Sequence, residues 1–220
     1  MTKKAKRSKG VFIALEGPDK SGKSTQAGLL VRALIDHGRS VVHTREPGGT
    51  IFAEAIRKLL LDPEHRVVPL AELFLYEAAR AQHTEELIRP ALKRGAVVVS
   101  ERFTLATLAY QGHARGLQLS MVRQLNKIAT GGLAPDLTIV LDIPDSQFEA
   151  RDPDRKYDRL ELESAAFRHK VRAAYRRLSR SEPRVVLVDA TNDRSVIHTE
   201  IVAHVDPFLK RTLNPVPFRT

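Results

Sequence analysis

One glycine-rich loop constrains this chain more than any other segment. Residues 17–24 read Gly-Pro-Asp-Lys-Ser-Gly-Lys-Ser, after an apolar run over residues 11–15 and before a helix-periodic segment that includes Leu30 and Leu34. This spacing, between a buried strand and a helix, is typical of phosphate-binding loops. Its glycines let the backbone curl so that successive N–H groups face one anion, and the start of the helix adds partial positive charge.

The loop also supplies two groups of defined chemistry. Lys23 is placed to reach the β- and γ-phosphates of ATP, and the Ser24 hydroxyl is placed to hold Mg²⁺. An ordinary glycine turn is the alternative, but two glycines, a lysine and a serine at the required spacing favour phosphate binding. The predicted nucleotide-binding residues of this segment are Gly17, Pro18, Asp19, Lys20, Ser21, Gly22, Lys23, Ser24 and Thr25.

Composition limits the class of protein. The chain has 220 residues, of which 42% are hydrophobic, which is enough for one sizeable core. It has no cysteine, which excludes disulfides, thiolate zinc sites and thiol nucleophiles. No apolar run approaches the roughly 20 residues needed to cross a bilayer. We expect a soluble, cytoplasmic protein with a single domain over residues 11–212, between a basic disordered tail (residues 1–10) and a C-terminal tail (residues 213–220).

The net charge of +10 is concentrated near the beginning of the chain, where five lysines and arginines precede the first apolar run. A solvated, disordered arm is the simpler interpretation, and weak contact with nucleic acid is the alternative. The chain has no basic stripe interleaved with aromatic residues, which single-strand binding would favour. We therefore do not expect nucleic acid as a partner.

Apolar runs alternate with helical patterns along the chain, which favours a parallel sheet with helices on both faces. After the first strand, further strands are predicted at residues 40–44, 96–100, 137–141 and 185–188. Beyond the helix that follows the loop, helices are predicted at residues 51–61, 70–93, 121–129 and 160–179, and a glycine-bounded turn at residues 111–116. The predicted fold class is α/β, with three layers and a five-stranded parallel sheet.

Charged residues follow two of the predicted strands. Residues 45–50 (Arg-Glu-Pro-Gly-Gly-Thr) come after the second strand, and Glu101 and Arg102 come directly after the third. Open α/β sheets bind ligands beyond the carboxyl ends of their strands. Glu101 is therefore a candidate for the Mg²⁺ shell, and the Arg102 guanidinium suits a bidentate grip on phosphate. A surface turn and a surface ion pair are the respective alternatives.

A charged connector over residues 151–159 contains a proline and is too polar for the core, so we expect it to be exposed. A plain charged loop is one interpretation. In a phosphoryl-transfer enzyme, such a loop can close over ATP, exclude water and bring an arginine to the transferring group. We predict a short lid at about residues 150–159.

Four motifs stand at defined positions after the glycine-rich loop. They cover residues 44–50 (Thr-Arg-Glu-Pro-Gly-Gly-Thr), 74–80 (Phe-Leu-Tyr-Glu-Ala-Ala-Arg), 101–103 (Glu-Arg-Phe) and 109–112 (Ala-Tyr-Gln-Gly). With the loop, and in this order, they resemble the bacterial thymidylate kinase family. The resemblance implies a P-loop kinase fold, a homodimer, and a phosphotransferase that passes the γ-phosphoryl group of Mg·ATP to dTMP, giving dTDP and ADP in dTTP biosynthesis.

The resemblance also implies a role for each matching residue. On the dTMP side, Phe74 stacks on thymine, Arg80 reads the base edge, Thr107 and Gln111 line the base pocket, Tyr110 packs under the deoxyribose, Asp19 meets the 3′-hydroxyl, and Arg45 and Arg102 hold the phosphate. On the ATP side, Arg151 lies near adenine, with Ala190 and Thr191 on its other side. Ser24 and Glu101 are the predicted metal ligands.

Three residues depart from the family pattern. Glu101 replaces an aspartate and adds a methylene group, and Ala106 replaces a serine and removes a polar contact near the base. Lys20 stands where relatives carry arginine or glycine. Either Lys20 or Arg155 in the lid is then the cation that stabilises the transferring phosphoryl group, beside Lys23 and Arg102. We favour the arginine, because its fork of donors matches phosphoryl oxygens better than an ammonium does.

Three other functions remain open at this point. A kinase for another nucleoside monophosphate or a deoxynucleoside is the nearest, because Ala106 alters the base pocket. A phosphate-loop ATPase stimulated by nucleic acid is suggested only by the net charge. A regulatory nucleotide-binding protein without catalysis is suggested only by Glu101.

Overall fold

The computed structural model describes residues 10–151 and 157–212. Three predicted features lie wholly or partly outside them: the basic tail before residue 10, the tail after residue 212, and the centre of the predicted lid, which includes Arg155. The boundaries of the single domain therefore stay a prediction.

A five-stranded parallel sheet forms the centre of the protein. Its strands are β1 (Val11–Glu16), β2 (Val41–Arg45), β3 (Val97–Glu101), β4 (Leu137–Asp142) and β5 (Val185–Asp189). They lie in the order β2-β3-β1-β4-β5, and every neighbouring pair is parallel. Valine and isoleucine dominate these runs and fit a pleated, buried surface. The predicted five-stranded parallel sheet is confirmed.

Helices cover both faces of this sheet. The α-helices are α1 (Lys23–Asp36), α2 (Ile51–Leu61), α3 (Pro69–His83), α4 (Arg89–Lys93), α5 (Thr104–Thr107), α6 (Leu119–Ala129), α7 (Ser146–Ala150), α8 (Ala165–Ser181) and α9 (Arg194–Thr212). Alternate side chains of β1 point to opposite faces of the sheet and pack against the two layers of helices. Ile13 and Leu15 pack with α1 and α9, whereas Phe12 and Ala14 pack with Ala91 of α4. The three-layer class is confirmed.

Two π-helical turns continue the α-helices that precede them. Thr84–Ile88 joins α3 to α4, so the helix predicted over residues 70–93 is one continuous helical run. Leu108–Ala114 continues α5, so the glycine-bounded turn predicted at residues 111–116 was wrong. Gly112 is buried in this segment, where a Cβ would press against Leu119, and close packing rather than a turn explains the glycine.

The last two helices also differ from prediction. The helix predicted from residue 160 begins at Ala165, because Asp158 accepts hydrogen bonds from the backbone N–H groups of Leu160 and Glu161 and holds a turn there. The Ser164 hydroxyl then caps the helix. Helix α9 was not predicted. Its buried residues recur every four positions, which was the available signal: Ile197, Ile201, Val205 and Leu209.

Parallel pairing brings the carboxyl ends of β1, β2 and β3 to one edge of the sheet. The glycine-rich loop, residues 46–50 and residues 102–103 therefore meet there, although long stretches of sequence separate them. Among the described residues, no helix is both long and apolar enough to span a membrane.

Candidate active site

A cavity of about 480 Å³ opens at this edge of the sheet. The predicted site residues that line it are Asp19, Lys20, Gly22, Lys23, Ser24, Thr25, Arg45, Arg80, Glu101, Arg102, Thr107, Tyr110, Gln111 and Arg151. The described residues that were predicted for the site but do not line the cavity are Gly17, Pro18, Ser21, Phe74, Ala190 and Thr191. The first three of these belong to the glycine-rich loop itself, and Pro18 lines a smaller pocket beside it.

Two glycines shape the loop. Gly17 has a φ of 137° and Gly22 a φ of 91°, both in the region that favours glycine. A Cβ at Gly17 would collide with the carbonyl oxygen of Leu141, whereas no described atom lies close to the Cβ position of Gly22. The loop therefore packs tightly against β4 and stays open beside Gly22, directly before α1, where backbone N–H groups can meet an anion.

The Lys23 ammonium lies folded over the loop. It donates hydrogen bonds to the carbonyl oxygens of Gly17 at 3.1 Å and Pro18 at 2.6 Å. Burial, followed by repulsion from the Arg102 guanidinium, lowers the pKa of Lys23 to about 7. An anion in the cavity would favour the charged form again, so the protonation of Lys23 depends on what the site holds.

The two predicted metal ligands lie together. The Ser24 hydroxyl donates to the Glu101 carboxylate at 2.5 Å, and His43 contacts the other carboxylate oxygen at 3.0 Å. Burial alone would raise the pKa of Glu101, but the hydrogen bonds from His43 and Ser24 lower it overall. A hydroxyl beside an ionised carboxylate is an oxygen donor pair that suits Mg²⁺.

Arg102 connects the loop to the rest of the cavity. One Nη nitrogen donates to the Gly17 carbonyl and the Tyr175 hydroxyl, and the other donates to the Tyr110 hydroxyl and forms an ion pair with Asp19. Burial by itself would raise the pKa of Asp19, but the charges of Arg102 and Lys23 lower it. Among the described residues, the Arg102 Nε has no hydrogen-bond partner and is left for a ligand.

Glu16 and Tyr175 support Arg102 and were missed by sequence reasoning. The Glu16 carboxyl group is fully buried, and it accepts from the backbone N–H of Phe103 at 2.7 Å and from the Tyr175 hydroxyl at 2.8 Å. Burial raises the pKa of Glu16. An acidic residue at the end of an otherwise apolar strand was the only sequence signal for this position.

Phe74 does not lie where the resemblance suggested. Its side chain is 52% exposed and does not line the cavity, whereas Tyr76 does. Helical residues four apart share a face, and residues six apart do not. Tyr76 therefore faces the cavity with Arg80, four residues later, and Phe74 points elsewhere. The prediction for Phe74 was wrong, and the spacing from Arg80 was the signal that would have identified Tyr76.

Arg80 is held rigidly at the same end of the cavity. Its guanidinium is fully buried and donates to Glu46 at 2.7 Å, to Glu77 at 3.0 Å, to Asn126 at 2.7 Å and to the Phe103 carbonyl at 3.1 Å. Near it, the buried Thr107 hydroxyl has no hydrogen-bond partner in the described part of the chain. A buried hydroxyl of this kind is satisfied when a polar ligand fills the cavity.

Arg45 and Arg57 add positive charge to the cavity. The Arg45 side chain is exposed and contacts both oxygens of Glu54 at 3.2 Å. Arg57 was not predicted, because helix α2 carries no motif, and it donates to the Pro47 carbonyl at 2.9 Å. Both line the cavity, and a pair of guanidinium groups suits a phosphate group.

Lys20 and Arg151 both line the cavity and contact each other. The Lys20 ammonium lies over the rings of Phe148 at 4.7 Å and Tyr157 at 4.6 Å. Arg151 donates to the Lys20 carbonyl at 3.2 Å and to the Ala190 carbonyl at 2.8 Å. Ala190 therefore reaches the site through Arg151, whereas the Thr191 hydroxyl bonds to Asp189.

Comparisons with known proteins agree with this geometry. A family model described as thymidylate kinase matches residues 15–201. A thymidylate kinase of Exiguobacterium sp. is 45% identical over 196 residues, covering 88% of this chain and 92% of the relative. One of Syntrophotalea carbinolica is 49% identical over 188 residues, covering 81% and 87%. The crystal structure of thymidylate kinase from Ehrlichia chaffeensis matches with a TM-score of 0.75 and 30% identity, over 90% of this chain and 99% of that one.

The lowered pKa of Lys23 predicts proton uptake on nucleotide binding. With a pKa of about 7 in the free protein, the ammonium is mostly neutral at pH 8, and a bound triphosphate would recharge it. We expect uptake of about one proton per ATP at pH 8 and almost none at pH 6. Titration calorimetry in buffers of different ionisation enthalpy measures the number of protons taken up per ATP bound. Lys23→Arg stays charged and should show no uptake; equal uptake in both proteins would contradict the assignment.

Proposed function

This chain belongs to the thymidylate kinase family, and we propose that it transfers the γ-phosphoryl group of ATP to dTMP, giving dTDP and ADP. One observation carries the proposal: a single cavity is lined both by Lys23 and Ser24 of the loop and by Tyr76, Arg80 and Thr107 of helices α3 and α5. The first group suits a triphosphate and the second a flat base, and we call them the donor end and the acceptor or base end. A cytoplasmic location follows as part of the proposal, since both substrates are intracellular.

The donor end holds the ATP phosphates. Backbone N–H groups of the loop and the Lys23 ammonium would neutralise the β- and γ-phosphates, and Arg151 would lie beside adenine. Mg²⁺ is implied by the family, and Ser24 and Glu101 are the residues that would hold it. When bound, it would neutralise negative charge on the phosphate oxygens.

The acceptor end holds dTMP. Tyr76 takes the stacking role that the resemblance assigned to Phe74, since its ring lies in the cavity. Arg80 directs its one uncommitted Nη hydrogen at a carbonyl oxygen of the base, and Thr107 supplies the free hydroxyl. Tyr110 and Asp19 are joined at 2.8 Å and would border the deoxyribose.

The reaction needs positioning and charge more than proton transfer. The dTMP phosphate is already ionised and attacks the γ-phosphorus in line, so no strong general base is required. Arg45 and the Arg102 Nε would hold the attacking phosphate beside Lys23. Because Phe148 and Tyr157 hold the Lys20 ammonium, we propose Arg155, which lies outside the described residues, as the further cation on the transferring group.

A coupled ADP-release assay with a panel of acceptors tests this function. We expect dTMP to be the best substrate, ahead of dUMP, dCMP and thymidine. Lys23→Ala should lower kcat by at least about a hundredfold without unfolding the protein, because it removes charge stabilisation of the transition state. Hydrolysis of ATP that nucleic acid stimulates and dTMP does not affect would instead support the ATPase alternative.

The exchange of roles between Phe74 and Tyr76 is tested with matched variants. Tyr76→Leu removes the aromatic face from the cavity and should raise KM for dTMP about tenfold, the order expected for lost base stacking. Phe74→Leu, two residues away on the same helix, should change KM by less than about twofold. A larger effect at Phe74 than at Tyr76 would refute the reassignment.

We also propose that the chain forms a homodimer through α2 and α3. These helices pack together through Ala53, Ile56 and Ala79, and each carries exposed apolar residues at helical spacing. These exposed residues are Ile51, Phe52, Ala55, Leu59, Leu70, Ala71, Phe74 and Ala78. An apolar surface of this kind is costly in water and suits self-association. It accounts for the position of Phe74.

Introducing a charge on this surface tests the dimer. Phe74→Asp should convert the protein to a monomer at micromolar concentration, measured by sedimentation velocity. Val196→Asp introduces the same charge at a residue that is equally exposed, 52%, but lies on α9, and it should leave the mass unchanged. A wild-type protein that sediments as a monomer would exclude the dimer.

A further inference from the structure

A buried carboxylate lies beneath the base end of the cavity. Glu72 on α3 is fully buried. Two arginines from separate segments form ion pairs with it, Arg115 at 3.1 Å and Arg159 at 2.7 Å. The third partner is Gln111, whose Nε2 donates to a Glu72 oxygen at 2.8 Å. A cavity residue is thus bound to a charged group that does not itself line the cavity.

The charge on Glu72 determines which end of the Gln111 amide faces it. Burial alone would raise the pKa of Glu72, but hydrogen bonds from Arg115 and Gln111 lower it overall, so the group is a carboxylate at neutral pH. A carboxylate only accepts hydrogen bonds. The Gln111 amide must therefore turn its nitrogen toward Glu72, which settles an orientation that an amide otherwise leaves open.

The other end of the amide is the oxygen, a hydrogen-bond acceptor. Gln111 lines the cavity with Tyr76 and Thr107, and in the described part of the chain its Oε1 has no hydrogen-bond partner. Thymine and uracil carry a donor at N3–H. Cytosine carries an acceptor at N3, which would face the amide oxygen lone pair to lone pair.

We propose that Glu72 is a positioning residue for base selection, because it holds Gln111 with the amide oxygen toward the base and so favours pyrimidines with an N3–H over cytosine. The inference rests on the proposed function and deepens it. Glu72 touches no substrate, and its effect passes through Gln111. Without an obligate acceptor at residue 72, the amide could present either end, and the preference would weaken.

Glu72→Gln tests the proposal, because the new amide can donate as well as accept. The measurement is the ratio of kcat/KM for dUMP to that for dCMP, two acceptors whose bases differ only at this edge. We expect the ratio to fall about tenfold, mainly through KM, with the remaining preference due to the Arg80 donors. A merely structural role would lower both values together and leave the ratio unchanged.

Arg115→Gln is the matched control. It removes one ion-pair partner of the buried Glu72 but leaves the contact with Gln111, so it should lower the melting temperature without changing the ratio. If Glu72→Gln does not fold, Glu72→Asp keeps the charge for both arginines but is too short to hold Gln111, and its ratio should fall in the same way.

The outcomes separate the two claims. A wild-type protein that phosphorylates no nucleoside monophosphate would remove the proposed function. A wild-type protein that prefers dUMP over dCMP by the same ratio as a folded Glu72 variant would overturn the role of Glu72 alone.

Discussion

The Arg102 guanidinium is the contact on which the site depends. It follows β3, adopts a φ of 70°, and binds the glycine-rich loop through Gly17 and Asp19 while contacting the hydroxyls of Tyr110 and Tyr175. A left-handed backbone at a residue other than glycine is strained and persists only when its surroundings hold it. Those four contacts keep the backbone of Arg102 in this conformation. Through them, one side chain joins the donor end of the cavity to the acceptor end.

Opposite charges around Arg102 explain how several cationic side chains lie together in one buried site. Lys23 and Arg102 lie near the carboxyl groups of Asp19, Glu16 and Glu101, which partly balance them. The charges are not fully balanced, because the pKa of Lys23 is still lowered to about 7. Polyphosphate supplies the missing negative charge, so substrate binding and the protonation of the site are linked.

The base end is built from buried ionic contacts. Arg80 pairs with Glu46 at 2.7 Å, and the Glu46 carboxylate is also contacted by the buried His83 at 3.0 Å. Leaving one member of such a pair without its partner costs about 3–5 kcal/mol. The arrangement therefore resists change, and each polar group offered to the base has a defined direction. Glu72 likewise fixes the direction of the Gln111 amide, by accepting a hydrogen bond from its nitrogen.

Two nearby aromatic residues of helix α3 lie in different environments. Phe74 and Tyr76 are two positions apart, so the helical rotation places them on different faces. One ring lies in the cavity and the other on the apolar surface shared with α2. The motif over residues 74–80 contains both aromatic residues. Only Tyr76 lies four residues before Arg80, which is the spacing that places two helical residues on one face.

The sequence by itself determined the phosphate-binding loop, the five strands, the α/β class and the family. These depend on local signals: glycines at fixed spacing, runs of β-branched residues, and charged residues directly after strands. The four-residue spacing to Arg80 was a sequence signal for Tyr76 in place of Phe74. Only the tertiary structure revealed the aromatic contacts of Lys20 and the support from Glu16, Glu72 and Tyr175. Glu16 and Tyr175 lie 159 residues apart. Contacts of that kind arise when parallel strands and helices bring distant segments to one edge of the sheet, and no local pattern encodes them.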